Sequence, residues 1–336
     1  MLARQFLLER SSLPLVPTLE RVGGLQTQYA PSGYVGLWSR MRNFRRDALT
    51  TALEQRRVMQ GTLLRSTIHM VSARDYWLFL AAVRQARQDW WRRVTHKTLG
   101  DVDIDAAAAV IREPLAAGPQ RADDLKEMLV RRGFPRAAWT GVGIWIDMVR
   151  VPPSGTWHQR RADLYGLAET WVEPAAPTEA AGLEHVVRRY LGAFGPASVR
   201  EIADWAGIPH TRLLPVIDRL SLRRFRDDKG KELLDLQRAP LPDPQTPAPV
   251  RFLPTWDATL LVHARRTQIL PERYRPLVFN TKTPHSVPTF LVDGAVAGTW
   301  RYERGRVEVR PFEPLPKAVR REVEDEAKRL ADFHAD

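Results

Sequence analysis

The stretch SVREIADWAGIPH, Ser198 to His210, predicts two short helices joined by a tight turn. Ser198 and Glu201 have the spacing of a capping box, so a helix is expected to begin at Ser198. The run Gly207-Ile-Pro209 is typical of the glycine-containing turn between the two helices of a helix-turn-helix. The stretch therefore favours a helical pair of the kind that nucleic-acid-binding proteins use.

The flanking residues complete a winged-helix pattern around this pair. A helix is predicted before it, over Glu179–Leu191, and a second helix of the pair over His210–Leu220. A hairpin is predicted next, from Leu222–Phe225 across the Asp-Asp-Lys-Gly turn to Leu233–Leu236. Helix, helix, helix and hairpin is the order of a winged helix.

Two further copies of this order are predicted nearer the N-terminus. In the first copy a helix over Pro17–Gln28 and another over Arg46–Arg57 precede a β-branched run, Thr62–Val71, that alternates like a strand. Ser72 is expected to cap a long amphipathic helix that reaches about Thr95. The second copy has three short helical stretches and an extended turn region: Asp105–Leu115, Arg121–Arg132, Arg136–Val149 and Val151–Trp157.

The chain changes character after Ala239. The segment Ala239–Pro249 carries five prolines and predicts an extended linker. Beyond it, short β-rich runs with Asp293-Gly294 and Arg304-Gly305 turns predict a small barrel or sheet. The expected strands and the closing helix are Val250–Pro254, Leu260–Val262, Thr289–Val292, Val296–Tyr302, Arg306–Phe312 and the helix Pro316–Phe333.

The sequence thus predicts an α+β protein with three tandem winged-helix motifs, a C-terminal β-rich, barrel-like unit and a closing helix. The expected division is a first winged-helix region (1–100), a second (101–176), a third (177–238), the linker (239–249) and the C-terminal unit (250–336). A chain of 336 residues is long enough to hold several such modules.

The charge balance favours a polyanionic partner. There are 51 Lys and Arg residues against 39 Asp and Glu, for a formal net charge of +12. Only seven of the basic residues are lysines, and a GC-rich codon bias would give the same skew without selection for binding. Arginine is also the side chain best suited to bidentate phosphate contacts, so both explanations stand.

Other classes of function have no support in the sequence. The absence of cysteine excludes disulfides, thiolate metal sites and cysteine nucleophiles. No Walker loop, GxGxxG, HExxH or GxSxG motif is present, so we expect no nucleotide cofactor and no metal. No apolar run is long enough to span a bilayer and no secretory signal is seen, so a water-soluble, cytoplasmic protein is expected.

Four blocks in order along the chain resemble the AlkZ-like winged-helix DNA glycosylases. The blocks are LQTQ…GYVGLWSR (Leu25 to Arg40), LLRSTIHMVSARDYW (Leu63 to Trp77), FLPTWDATLL (Phe252 to Leu261) and VPTFLVDGAVAGTWR (Val287 to Arg301). The resemblance covers essentially the whole chain. It implies three tandem winged helices forming a concave DNA-binding body, an enzyme that excises bulky or cationic alkylated purines and unhooks interstrand crosslinks, and a role in repair or self-resistance to a DNA-alkylating natural product.

The family's signature is a pair of glutamines around one aliphatic residue, matched here by Gln26 and Gln28 with Thr27 between them. The resemblance implies that both glutamines are catalytic. An N7- or N3-alkylated purine is already cationic and leaves without a strong general acid, so the remaining task is to hold a water against C1′. A glutamine carbonyl can accept from that water while its amide NH2 anchors the side chain.

Geometry sets a condition on this assignment. Residues two apart point away from each other on a regular helix, but they share a face in an extended segment. The two side chains are therefore expected to enter one cleft only if the helix ends near Leu25. The alternative, that Gln26 and Gln28 are solvent-facing residues at a helix end, stays open.

Neighbouring residues are candidates for the same cleft or for DNA contact. Arg65, Thr67 and His69 alternate along one predicted strand face, although a packed structural strand would show the same alternation. Trp38 and Arg40 are candidates for stacking and for gripping the DNA backbone, with core packing as the alternative for Trp38. Lys282 and His285 lie in a loop that would suit a groove-inserting finger or, equally, a solvated hairpin tip.

Two functions of different class remain at this stage. The first is a DNA glycosylase that binds double-stranded DNA as a monomer and lacks lyase activity, since no lysine is placed near the glutamines for a Schiff base. The second is a non-catalytic winged-helix transcriptional regulator, for which the same modules and the same positive charge would serve.

Overall fold

The computed structural model describes residues 1–161, 163–261, 266–280 and 285–335. The N-terminal segment begins with irregular chain and then forms helices on both sides of a small sheet. Its elements are α1 (Leu15–Arg21), β1 (Leu25–Gln26), α2 (Pro31–Arg40), α3 (Arg46–Glu54), β2 (Val58–Thr62), β3 (Ile68–Ser72) and α4 (Ala73–Leu99). Ser72 caps α4 by accepting a hydrogen bond from the Asp75 amide, as the sequence predicts.

The first helix is much shorter than the predicted Pro17–Gln28, because two glycines end it. Gly23 and Gly24 have φ values of +81° and +78°, a region that L side chains rarely adopt. A side chain on Gly24 would also collide with the Met70 carbonyl oxygen, 2.9 Å from the ideal Cβ position. The chain therefore leaves α1 at Arg21 and runs as an extended segment through Gln26.

The second segment repeats the order of helices and strands seen in the first. It contains α5 (Ile104–Ala117), β4 (Gln120–Arg121), α6 (Ala122–Arg131), α7 (Trp139–Trp145), β5 (Met148–Arg150), β6 (Leu164–Leu167) and α8 (Ala168–Trp171). The predicted helix over Arg136–Val149 is wrong in its last part, where Met148 and Val149 are strand residues.

The first two segments share one antiparallel sheet. Its strand order is β1-β3-β2-β5-β6-β4, so the joint between the segments is the pairing of β2 with β5 at Gly61 and Val149. On the side of α4, glycine is needed at the same position, since a Cβ on Gly61 would lie 2.8 Å from the Tyr76 ring. The regions that the sequence separates at residue 100 are thus continuous through backbone hydrogen bonds.

The third segment contains the helices and the hairpin predicted around Ser198 to His210. Its elements are α9 (Glu179–Phe194), α10 (Val199–Ala206), α11 (Leu214–Arg219), β7 (Leu222–Arg226) and β8 (Glu232–Leu236). The predicted capping box at Ser198 and Glu201 is present, and Gly207 ends α10 in the left-handed region. A side chain on Gly182 would lie 2.6 Å from the Leu78 carbonyl oxygen, so glycine lets α9 lie closely along α4.

The C-terminal segment follows residues 239–249, which carry no helix or strand. It contains β9 (Arg251–Leu253), α12 (Arg275–Val278), β10 (Phe279–Asn280), β11 (His285–Ser286), β12 (Thr289–Val292), β13 (Ala295–Glu303), β14 (Arg306–Pro311) and α13 (Lys317–Ala335). Four strands form a sheet in the order β14-β13-β12-β9, and β10 pairs with β11. Over the described residues this four-stranded sheet is open, so the expected barrel-like closure is not found.

One predicted strand does not form in this segment. Leu260 and Leu261 lie in turns, and Val262 falls outside the described residues. The segment packs on the first one through a shared apolar cluster that includes Trp38, Phe252 and Phe333. Within the described part of the chain, no helix has the length and apolar character needed to cross a membrane.

Candidate active site

The two glutamines lie at the end of a short strand, with Gln26 closing β1 and Gln28 in the bend that follows it. Gln26 pairs with His69 across β1 and β3, and the Thr27 amide continues the ladder by donating to the Ile68 carbonyl at 2.8 Å. Side chains alternate along such a ladder, so Gln26 and Thr27 project to opposite sides. The Gln26 and Gln28 side chains both bond to the stretch from Arg65 to Ile68. The condition set by the sequence, that the helix ends before the pair, is met.

Each glutamine carbonyl accepts a hydrogen bond from the protein. Arg65 donates from Nη2 to Gln26 Oε1 at 3.0 Å, and the Ile68 amide donates to Gln28 Oε1 at 3.2 Å. Because both partners are donors, they fix which end of each carboxamide is oxygen. Anchoring through the oxygen is the reverse of the expected anchoring through NH2, and each oxygen keeps a second lone pair for another donor.

Burial differs between the two positions. Gln26 is only 9 % exposed, whereas the Gln28 side chain is exposed at the protein surface. The pair therefore reaches from the sheet interior to the surface.

Thr27 ties the pair to the second segment. Its hydroxyl contacts Gln60 Oε1 at 3.4 Å, and Arg150 Nη1, from β5, donates to the Thr27 carbonyl at 2.8 Å. Gln60 in turn donates from Nε2 to the Gly155 carbonyl at 2.9 Å. Thr27 stands where the family signature has an aliphatic residue, and its hydroxyl has a partner in Gln60. Arg150 and Gln60 support the segment and were not singled out from the sequence.

Arg65 connects the glutamines to the third segment. It lies in a 3-10 turn, Leu64–Ser66, with a left-handed φ of 51°, rather than on the predicted strand. Its Nη1 donates to the Trp205 carbonyl near the end of α10. A side chain on Gly207 would lie 2.9 Å from the Arg65 Cα, so glycine lets this turn approach α10 closely. Burial lowers the pKa of Arg65 to about 10, which leaves it protonated at neutral pH.

His69 lies beside Gln26 and is neutral. Burial, together with the Arg65 charge, lowers the pKa of His69 to about 3. Its Nδ1 lies 3.1 Å from the Thr67 carbonyl oxygen, which requires that Nδ1 carry the proton and donate. Arg65 bonds to Gln26 and His69 pairs with it across the strands, whereas the Thr67 hydroxyl donates to the Leu64 carbonyl. Only His69 of the three lies within a strand, and their contact with the lesion or the phosphate stays a prediction.

Trp38 and Arg40 are not in this cleft. Trp38 packs in the core against Phe333, with ring centroids 6.0 Å apart. Arg40 is 0 % exposed and forms a two-point ion pair with Asp257, each N–O distance being 2.9 Å. Burial works to raise the pKa of Asp257, but Arg40 and two Thr259 hydrogen bonds hold it below its usual value. Their expected DNA contact is wrong; both residues are structural.

The remaining two candidates lie apart from the glutamine segment along the chain. His285 begins β11, where its backbone pairs with Asn280, and Lys282 falls outside the described residues. Their proposed contact with a DNA groove stays a prediction.

A cavity of about 390 Å³ opens beside Gln28. It lies between the first and second segments, and α4, α7 and β6 contribute aromatic side chains to it. Its lining includes Trp90, Trp91, Trp139 and Tyr165 together with hydroxyl and aliphatic groups. No local pattern indicates this cavity, since these residues are far apart along the chain.

A comparison with solved structures finds a chain of the same fold. The chain is similar to the DNA glycosylase AlkZ of Streptomyces sahachiroi, with a TM-score of 0.81 over 99% of this chain and 94% of that one, at 20% identity. A curated relative from the same organism, named an interstrand DNA cross-link repair glycosylase, is 23% identical over 359 residues, covering 98% of this chain and 93% of the relative.

The family model described as DNA glycosylase AlkZ-like matches residues 19–333. The chain belongs to the AlkZ-like DNA glycosylase family, and the resemblance drawn from the four sequence blocks is confirmed.

Proposed function

We propose that this protein hydrolyses the N-glycosidic bond of cationic alkylated purines in double-stranded DNA, with Gln26 and Gln28 positioning the attacking water. The observation that carries the proposal is that both glutamines are held by a hydrogen bond to the oxygen, Gln26 from Arg65 and Gln28 from the amide of Ile68, three residues further along the same stretch. Fixed carboxamides suit catalysis, because a preorganised group orients a water without reorganising during the reaction.

The chemical step is a hydrolysis. The water oxygen bonds to C1′ as the C1′–N bond breaks, and the bonding pair stays with the base, which leaves neutral. One water proton stays on the new C1′ hydroxyl of the abasic sugar and the other passes to solvent. The free lone pair on each glutamine oxygen accepts a hydrogen bond from the water, which aligns the water's own lone pair toward C1′.

A neutral amide pair limits the substrate class. Carboxylates would stabilise a developing sugar cation more strongly than amides do. His69 is neutral and Arg65 is positive, so neither adds negative charge beside the pair. The substrates are accordingly bases that depart readily because they are already cationic, which includes purines held in an alkyl interstrand crosslink.

The proposal also includes the winged-helix modules, DNA binding as a monomer and the absence of a lyase step. We assign a winged helix to each of the first three segments, 1–100, 101–176 and 177–238, because each runs helix, helix, helix and hairpin in order. Basic winged helices bind duplex DNA as separate, monomeric bodies or in pairs. Among the described residues, no lysine hydrogen-bonds to either glutamine or lines the cavity, so no Schiff base or lyase step is included.

The test measures release of 7-methylguanine from duplex DNA by the wild type and by Gln26→Ala, Gln28→Ala and the double variant. We expect the double variant to lose at least about 100-fold in single-turnover rate with DNA saturating. Gln237→Ala, which removes an exposed glutamine bonded only to Ser221, is the matched control and should keep full activity.

Two results would contradict the proposal. Release unchanged in the double variant would remove the glutamines from the mechanism while leaving a glycosylase. No release by the wild type from either a methylated or a crosslinked duplex, with DNA binding intact, would leave a duplex-binding regulator instead.

A further inference from the structure

The cavity beside Gln28 has features that the hydrolysis itself does not need. Trp90 is 44 % exposed and Val94 is 48 % exposed, one turn apart on the same face of α4, and both line it. Large apolar side chains exposed together in one place are uncommon on soluble proteins and often mark a binding site. A water-positioning pair at the rim does not explain them.

The other aromatic walls are held rigidly. Trp91 donates from Nε1 to Thr140 Oγ1 at 3.1 Å and packs edge-on against Trp145, with centroids 5.3 Å apart. Trp139 packs edge-on against Tyr165 at 5.8 Å. Rings fixed in this way present apolar surface without losing further side-chain freedom when a ligand binds.

The lining also restricts the chemistry of the occupant. Of the described residues that line the cavity, none is charged; the polar ones are Gln28 and four hydroxyl side chains besides the Tyr165 phenol, namely Thr62, Ser66, Thr95 and Thr140. A phosphate would find no cation there. Aromatic walls with a few hydroxyls instead suit a flat, uncharged ring system, which stacks on indole faces.

We propose that this cavity binds a planar aromatic group carried on the alkyl arm of the damaged purine, which makes Trp90 a specificity-determining residue. The inference rests on the proposed function. For water to reach C1′, the purine must stay at the glutamines, and the cavity lies next to Gln28 and takes the rest of its lining from other side chains such as Trp91 and Ile144. What enters is therefore the substituent that extends from the base. A crosslinked base cannot be extruded whole, which leads to the same occupant.

The experiment compares three duplexes that carry 7-methylguanine, an N7-alkylguanine with a saturated arm, or an N7-alkylguanine whose arm of equal length ends in a two-ring aromatic group. Trp90→Ala should lower release of the aromatic-arm base about ten-fold at sub-saturating enzyme, because stacking on an aromatic side chain contributes about that much to binding. Release of the other two bases should stay within about two-fold. Trp90→Phe, which keeps a ring, should restore most of the loss.

A second pair of variants guards against a simple loss of folding. Val94→Trp fills the cavity and should selectively lower release of the aromatic-arm base. Val130→Trp is the matched control, because Val130 is also a helix surface valine, 52 % exposed, and lies away from the cavity lining.

The outcomes separate this inference from the proposed function. Equal loss on all three duplexes would mean that the purine itself occupies the cavity, and no loss on any would mean that nothing from the lesion does; either overturns the inference. If the wild type releases base in a Gln26- and Gln28-dependent way in those cases, the proposed function survives. If the wild type releases none of the three bases, the proposed function itself has failed.

Discussion

Two regions of one short stretch, Leu25 to Arg40, put their polar side chains to opposite uses. In the extended part, Gln26 and Gln28 are neutral, and one of them reaches the surface. In α2, at the other end of the stretch, the charged Arg40 is wholly buried and hydrogen-bonded to Asp257, Gln5 and its own helix. A fully paired, inaccessible group can stabilise a fold but cannot meet a substrate, whereas an amide with one lone pair still free can.

The largest test of this contrast removes the partner of the buried charge. Asp257→Ala leaves the Arg40 guanidinium inside the protein without its carboxylate, and the free energy of unfolding should fall by about 3–5 kcal/mol. Urea denaturation measures it. Glu9→Ala, which breaks the exposed pair with Arg42, should cost less than about 1 kcal/mol, and Gln28→Ala should cost similarly little. A small loss in Asp257→Ala would mean that the buried pair is not structural.

A second test measures how the free energy of unfolding changes with pH through His69, beside Gln26. The pKa of His69 is about 3 in the folded protein and about 6.5 when unfolded. The unfolded state therefore binds more protons between these values, so the His69 contribution to stability is complete above pH 6.5 and declines as pH falls toward 3. His69→Asn should remove up to about 1.4 kcal/mol per pH unit of that decline.

The measurement is the urea midpoint of wild type and variant from pH 7 to pH 5. His158→Asn, at an exposed position, serves as the control and should follow the wild type. Parallel curves for His69→Asn and wild type would show that the histidine beside Gln26 is solvated and charged, and would remove the neutral surroundings assumed for the pair.

The smallest expected effect concerns Arg65. Arg65→Met removes the donor that holds Gln26 Oε1, so the single-turnover rate at saturating DNA should fall about ten-fold through loss of alignment. Arg45→Met removes a charge of the same sign from an exposed position and should leave that rate unchanged. A loss confined to DNA affinity, equal in both variants, would reduce Arg65 to a general cation.

Local signals in the sequence were enough to predict many of the helices and strands of each segment, but not the contacts between segments. The capping box at Ser198 and the cap at Ser72 act within a few residues and were predictable. The Gly23-Gly24 pair was a visible stop signal, and the predicted helix ran past it because the apolar spacing continued to Leu25. Chain geometry, rather than hydrophobic spacing, ended the helix.

The unpredicted features all depend on residues distant in sequence. Arg40 meets Asp257 across 217 positions, and Arg150 reaches Thr27 across 123. Nothing local indicates that an arginine will find a buried carboxylate rather than a phosphate. The aromatic cavity likewise exists only because α4, α7 and β6 meet, whereas the glutamine pair was recognisable because its two members are separated by a single residue in the chain.

The Gly61–Val149 joint has a consequence for how such an enzyme would diversify. Backbone pairing joins β2 of the first segment to β5 of the second at this point, and Gly61 lies too close to the Tyr76 ring for any larger residue. The width of the cavity between the two segments is therefore set by this backbone pairing. Such an enzyme would accept different lesions through single substitutions of the side chains that line the cavity, while the backbone around it stays the same.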